Sequence, residues 1–172
     1  MADNRAVVTA AVPPEWADPW RHPELFRGVT ARRIFAYMVD LVVVGIVAAA
    51  VWFGFGVLAL LSLGLLLPLQ ALAVALTPLA YHSFLISSPA AATLGMRVMG
   101  VHVASVANDG GSGRPTLFQA MIQTVAFYGS VALTSFLVLA VALFNPRRRT
   151  LHDWLAGTVV VNDPGRWRHP PA

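Results

Sequence analysis

Two stretches of this chain, residues 41–96 and 115–146, contain no Asp, Glu, Lys or Arg. A water-soluble domain needs charge on its surface, so uncharged stretches of this length point to lipid as the solvent. That constraint leaves hydrogen-bonded helices as the main spanning element, because backbone polar groups in lipid must be satisfied within the protein. The composition agrees: 57% of the residues are hydrophobic and 12% are charged. With 172 residues the chain is sized for one domain. The absence of cysteine excludes disulfides and thiolate metal sites.

The chain has no lysine, and its twelve arginines fall in three clusters. These are Arg5, Arg21, Arg27, Arg32 and Arg33; then Arg97 and Arg114; then Arg147, Arg148, Arg149, Arg166 and Arg168. Such a basic chain raises nucleic acid as a partner. Arginines that flank apolar spans are better explained as topology signals and headgroup contacts, so the partner expected is the bilayer and no nucleic acid.

Residues 1–28 read as a polar tail whose Trp16, Trp20 and Phe26 rest at the interface, with no cleavable leader. The membrane domain is expected over 29–162, followed by a second tail over 163–172. A first span is read from Ile34 to Phe55, with Gly54-Phe55-Gly56 as the outer turn. A second runs from Leu58 to Ile86, kinked by Pro68 and Pro78. Ala71 and Ala75 form a small-xxx-small pair suited to close helix approach. Residues 98–103 and 158–161 read as short strands, with a turn over Asn108–Gly113 and a helical turn over His152–Ala156.

The third apolar segment, Leu117 to Phe144, ends at Asn145-Pro146. As one helix it is about 40 Å long and must tilt. As a hairpin bent at Gly129-Ser130 it leaves all the arginines on the cytoplasmic side, in keeping with the positive-inside rule. The two strands can pair only in the second arrangement, which is preferred here. The fold class expected is all-α membrane: a small polytopic bundle with two clear spans, a third segment that is a tilted span or re-entrant hairpin, and short cytoplasmic strands.

Asp40 is the acid inside the first span. Arg33 precedes it by seven residues, close to the same helix face and about 10 Å away along the axis. A charged Asp at mid-span costs about 2.5–3.5 kcal/mol, so it must face the interior, find a partner or take up a proton. Two readings stand: an ion- or proton-sensitive site, and a latch between helices. His152 and Asp153 follow the third arginine cluster. Asp153 either approaches Arg33 or Arg97, with His152 as a titratable neighbour, or caps or orients the terminal helical turn and pairs with an adjacent arginine, the reading preferred here. His82 is a weaker candidate, read as a hydrogen-bonded structural residue because no second metal ligand is suitably spaced. Gln70, Thr77, Gln119, Gln123 and Thr124 read as interhelical hydrogen bonds. No nucleophile elbow, carboxylate pair or phosphate-cradling loop is present, so no enzyme activity, cofactor or metal is expected.

Three stretches taken in order resemble the RDD family of membrane proteins. They are RIFAYMVD from Arg33 to Asp40, TLGMRVMGVHV from Thr93 to Val103, and LHDWLAGTVVV from Leu151 to Val161. The family's arginine and two aspartates match Arg33, Asp40 and Asp153. Met96 stands where a lysine is usual, and Gln119 and Gln123 where arginines are frequent, which argues against an anionic ligand there. The resemblance implies a multi-pass bacterial inner-membrane protein with a cytoplasmic N-terminus. Cation/proton exchange through Asp40 is one function it suggests, with small size favouring a homo-oligomer. An accessory or assembly subunit of a larger membrane complex is the other.

Overall fold

The computed structural model describes residues 20–106, 113–134 and 151–162. The expected features at Trp16, at 107–112 and at 135–150, including Arg147 to Arg149, lie outside these residues, as does the tail 163–172. In chain order the elements are α1 (Pro23–Phe26), α2 (Val29–Leu61), α3 (Leu67–Ile86), α4 (Leu94–Met99), β1 (Val101–Ser105), α5 (Leu117–Thr134), α6 (Leu151–Leu155) and β2 (Thr158–Asn162). Among the described residues, two helices, one ending at Leu61 and the other spanning Leu67–Ile86, are long and apolar enough to cross a membrane.

The turn between them is not at Gly54-Phe55-Gly56. Helix α2 runs straight through these residues for 33 in all, roughly 50 Å. It ends at Ser62, where Gly64 N–H donates to Ala59 C=O (2.7 Å) and Leu63 N–H to Leu60 C=O (3.1 Å). This is the Schellman pattern, which uses a left-handed residue after the cap. Here Leu63 takes that conformation (φ 53°), and the glycine comes one position later. Ser62 Oγ tightens the turn by accepting from Leu66 N–H at 3.2 Å. Pro68 does not kink α3, because it lies in the first turn, where its missing donor is not needed. Pro78 is the proline inside the helix.

Residues 94–99 form a helix and not the first half of a strand. Gly100, left-handed at φ 65°, ends that helix and starts β1. Arg32 Nη1 donates to Met99 C=O at 3.4 Å, placing a cation at the helix's carbonyl end. The strands pair antiparallel, with Val103 opposite Val160 and Ala104 opposite Val159. Their alternation divides the core in two. Val159, Val161, Ala104 and Val106 pack on Leu25 and Phe26 of α1. Val160, Val101 and Val103 pack on Val29, Ile86 and Ala120 at the helix ends. The fold therefore begins before residue 29: Phe26 is buried in the core and does not rest at an interface, whereas Trp20 is exposed. Asn162 Nδ2 secures α1 by donating to the carbonyls of Glu24 and Arg27, both at 2.9 Å.

Helix α5 continues through Gly129-Ser130 to Thr134, so the bend expected there is absent. Its start is fixed by a reciprocal capping box. Thr116 N–H donates to Gln119 Oε1 (2.9 Å), and Gln119 N–H donates to Thr116 Oγ1 (3.2 Å). Gln119 Nε2 also reaches Ser105 on β1 at 3.0 Å. Both α6 and the first turns of α5 lie beside the strand pair. The chain thus leaves this end of the molecule at residue 117 and is back there by residue 151.

Helix α4 crosses α2 backbone to backbone at Gly95. A Cβ on Gly95 would stand 2.1 Å from Ala36 O and 2.9 Å from Asp40 Cγ, and neither wall is the flexible end of a side chain. Gly95→Ala must push the helices apart, costing about 1–3 kcal/mol or more. Gly45 on α2 has open space around its Cβ position, so Gly45→Ala should leave stability unchanged or raise it. Thermal melting of the two variants in the same detergent checks this; equal midpoints would contradict the close crossing.

Candidate functional site

The Arg/Asp set divides into two clamps, both involving α2. Asp40 is 2% exposed and serves the first turn of α4. Its Oδ1 accepts from Gly95 N–H and from Tyr81 Oη, each at 2.8 Å. Its Oδ2 accepts from Thr93 Oγ1 at 2.5 Å. Tyr81 Oη in turn accepts from Leu94 N–H (3.3 Å), and Thr93 Oγ1 from Met96 N–H (3.2 Å). The orphan donors that open every helix are therefore satisfied at α4 by side chains from α2, α3 and the N-cap.

The second clamp is centred on Asp153, which is wholly buried. Arg33 Nη2 meets its Oδ2 at 2.5 Å, and Gln123 Nε2 donates to Oδ1 at 2.9 Å. This joins α2, α5 and α6. Arg33 does not pair with Asp40, although both lie near one face of α2. The hydrogen bond formed by the Arg97 side chain runs from Nε to Ala92 C=O at 3.1 Å, steadying the loop before α4. Arg97 therefore belongs to neither carboxylate's hydrogen-bond shell. The preferred expectation for Asp153 was an adjacent arginine; among the described residues its ion pair is with Arg33, the other reading's partner, and not with Arg97.

An aromatic run links the clamps. Tyr81 packs edge-on against His82 (5.1 Å), His82 against Tyr128 (5.7 Å), Tyr128 against Phe127 (5.3 Å) and Phe127 against His152 (5.1 Å). His82 Nδ1 lies 2.9 Å from Pro78 C=O. A carbonyl only accepts, so this nitrogen donates. Gln70 makes the interhelical bond expected of it, Nε2 to Trp52 C=O at 3.0 Å. Thr77 and Thr124 do not cross between helices; each donates to a carbonyl of its own helix, Ala73 and Ala120. Tyr81 and Thr93 were the partners of Asp40 that the sequence did not single out. A hydroxyl four residues beyond Thr77 on α3 and an N-cap threonine are the signals that could have found them.

Between α2 and α5 lies a crevice of about 340 Å³. Both helices pack on α3 and flank it, leaving the gap. Tyr37 and Phe127 bridge it edge to face at 5.2 Å. Its wall is largely apolar, with Ile34, Met38, Leu41, Ile86 and Met96. Arg33, Asp40, His82, Gln123 and His152 also line it.

His152 lies beyond the spanning helices. Burial pushes its imidazole down to about 4; the carboxylate of Asp153 opposes this and the Arg33 guanidinium reinforces it. At neutral pH the ring is uncharged, so its 3.8 Å approach to Asp153 Oδ1 is not an ion pair. A histidine depressed from its ordinary 6.5 takes up a proton more readily when unfolded. Its stabilisation is complete above pH 6.5 and is lost as the pH falls towards 4, a change of about 3 kcal/mol. Thermal midpoints between pH 7 and 4 should fall, and the slope should be shallower in His152→Phe. Identical slopes would show that His152 carries none of the dependence.

Neither a curated protein nor a solved structure matches this chain. The sequence profile of the RDD family matches residues 27–157, a span that takes in Arg33, Asp40 and Asp153 with both clamps. The chain belongs to the RDD family of membrane proteins.

Proposed function

We propose that this protein is an accessory or assembly subunit of a larger membrane complex, in which the Arg/Asp residues are architectural. The observation that carries this reading is where its helices spend their polar and their small residues. Both carboxylates are turned inward and saturated, Asp40 by three donors and Asp153 by Arg33 and Gln123. The small-xxx-small pair Ala71 and Ala75 faces outward on α3, as do Gly45 and Ala49 on α2. Small residues at this spacing admit a second helix to close packing distance, where van der Waals contact drives association in lipid.

In this reading the bilayer is a bacterial inner membrane, and the end of the molecule bearing the strand pair is cytoplasmic. Both ends of the described chain, residues 20 and 162, then lie on the side where the arginines accumulate. The antiparallel pairing of β1 with β2 supports this, since paired strands occupy one side. In Gly165→Cys protein, an impermeant thiol reagent should label only permeabilised cells; labelling in intact cells would overturn the topology.

The second reading is transport, with Asp40 as the ion- or proton-sensitive group. It is favoured by the crevice, whose wall includes Asp40 and His82. Liposomes containing the purified protein separate the two. The accessory reading expects no cation-dependent proton flux. It also expects a stoichiometric membrane partner that co-purifies with the native chain and is lost in Ala49→Trp at unchanged thermal midpoint. Flux abolished by Asp40→Asn, in protein that melts normally, would replace it with transport.

A further inference from the structure

The turn that joins α2 to α3 is apolar on every side. Between Phe53 and Leu69 the one polar side chain is Ser62. Leu60 and Leu61, at the end of α2, are 79% and 75% exposed, and Leu63 and Leu65 in the turn are 98% and 81% exposed. Neighbouring helical positions lie about 100° apart, so Leu60 and Leu61 point to different sides of the hairpin. Leu67, which opens α3, is exposed as well. Turns that face water are built from Gly, Pro, Asn, Asp and Ser. A protein partner covers one face of such a tip, whereas a fluid apolar medium covers all of them.

The donors of the turn are satisfied without water. The N–H groups of Ser62, Leu63, Gly64, Leu65 and Leu67 donate to the carbonyls of Leu58, Leu60, Ala59, Ser62 and Gly64 in that order. Leu66 N–H donates to Ser62 Oγ at 3.2 Å, and that hydroxyl donates to Ala59 C=O at 3.0 Å. Pro68 follows and has no N–H to satisfy. Lipid excludes backbone whose polar groups are unmet, and no N–H from 62 to 67 is unmet. The left-handed position gives a second sign. Leu63 holds it at φ 53°, a conformation strained for a residue with a Cβ and usually given to Gly or Asn. The chain keeps that strain and gains apolar surface at the tip.

Length places the turn. Asp40 holds the start of α4, and on that short helix Arg97 is exposed and bonded back to Ala92 C=O. A guanidinium on the outside of a membrane protein belongs in the headgroup layer, so the near edge of the hydrocarbon runs close to Asp40. From Leu41 to Leu61 helix α2 carries no charge and is about 31 Å long, which matches a hydrocarbon core of ~30 Å. Leu61 thus reaches the far edge and goes no further. We propose that lipid of the leaflet remote from the strand pair closes over the α2–α3 turn, so that the hairpin presents no loop to the aqueous phase on that side. This holds whether the chain acts alone or beside a partner. A partner is then met within the bilayer or at the strand-pair end.

The test uses the full chain, which has no native thiol, so Leu63→Cys, Leu65→Cys and the exposed control Arg27→Cys each carry one. In sonicated membranes, which offer both faces, a sulfonated maleimide should label Arg27→Cys readily. It should label Leu63→Cys and Leu65→Cys at least about tenfold more slowly, because the thiolate it needs is suppressed in apolar surroundings. With bimane on these thiols in liposomes, lipids bearing a nitroxide on the acyl chain should quench the two turn positions more strongly than aqueous iodide does. The order should reverse at Arg27→Cys. Leu65→Cys leaves the strained residue in place, so it reads the turn even where Leu63→Cys disturbs it. Labelling of both turn positions as fast as the control, or stronger quenching there by iodide, would place the turn in water and overturn the proposal. Quenching by neither agent would reveal a protein cap in place of lipid and overturn it equally.

Discussion

The fold depends on how a carboxylate survives inside an apolar layer. Asp40 lies in the apolar part of α2, with no charged residue after it in that helix, and an unsatisfied acid there costs several kcal/mol. No arginine solves the problem. The three donors that do are Gly95 N–H, Tyr81 Oη and Thr93 Oγ1, and each imposes a condition. Reaching the Gly95 amide requires the backbones of α2 and α4 to touch, which only a residue without Cβ permits. Reaching Tyr81 fixes α3 beside α2. Reaching Thr93 places the start of α4, hence the end at Gly100 and the register of β1. A single acid thus sets the spacing of three segments, and the Met99 carbonyl held by Arg32 closes the same short helix at its other end.

Helix α2 acts as a rod with two attachment points. Arg33 and Asp40 share a face, but the rise between them directs them to different neighbours: the arginine to α6 and α5, the acid to α4 and α3. Tyr81, His82, Tyr128, Phe127 and His152 then fill the space between the clamps with edge-on aromatic contacts, a geometry rings favour over face-to-face stacking. The strand pair is held to the helices by the same logic. Its two faces are both buried, one under α1 and the other on the bundle, which is why Thr158 to Val161 reads as a continuous apolar run and not an alternating one.

What the sequence revealed follows the strength of each physical signal. Long uncharged runs announced the helices of the membrane, and β-branched residues announced β2. For Asp153 the preferred expectation was an arginine beside it in the chain; the pair with Arg33, 120 residues away, was only the second reading. Helix ends were harder. The turn after α2 uses Leu63 in the left-handed conformation, so the glycine signal was displaced, and the Gly54–Gly56 pair drew attention instead. Gly100 was read as part of a strand because Val98 and Val101 flank it, although it terminates a helix of six residues. Asp40's true partners were not legible because they come from a tyrosine 41 residues away and an amide 55 residues away. No local pattern encodes such contacts.

The two clamps differ in kind, and that difference bears on what the acids can do. Asp153 faces a cation, so removing either charge strands the other in a buried site, a loss typically of about 3–5 kcal/mol. Asp40 faces neutral donors. An asparagine there keeps one acceptor for Gly95 and Tyr81, and its amide nitrogen faces a Thr93 hydroxyl that is able to accept as well as donate. Charge is thus indispensable at Asp153 and, for the architecture alone, dispensable at Asp40. A purely structural latch would not need an acid at that position; an asparagine would serve with little rearrangement. What the acid provides beyond the amide is charge: the hydroxyls of Tyr81 and Thr93 donate to a carboxylate more strongly than to a neutral carbonyl. The strength of that contact, set against the backbone approach at Gly95, is the physical reason an acid can occupy this place without a counter-ion.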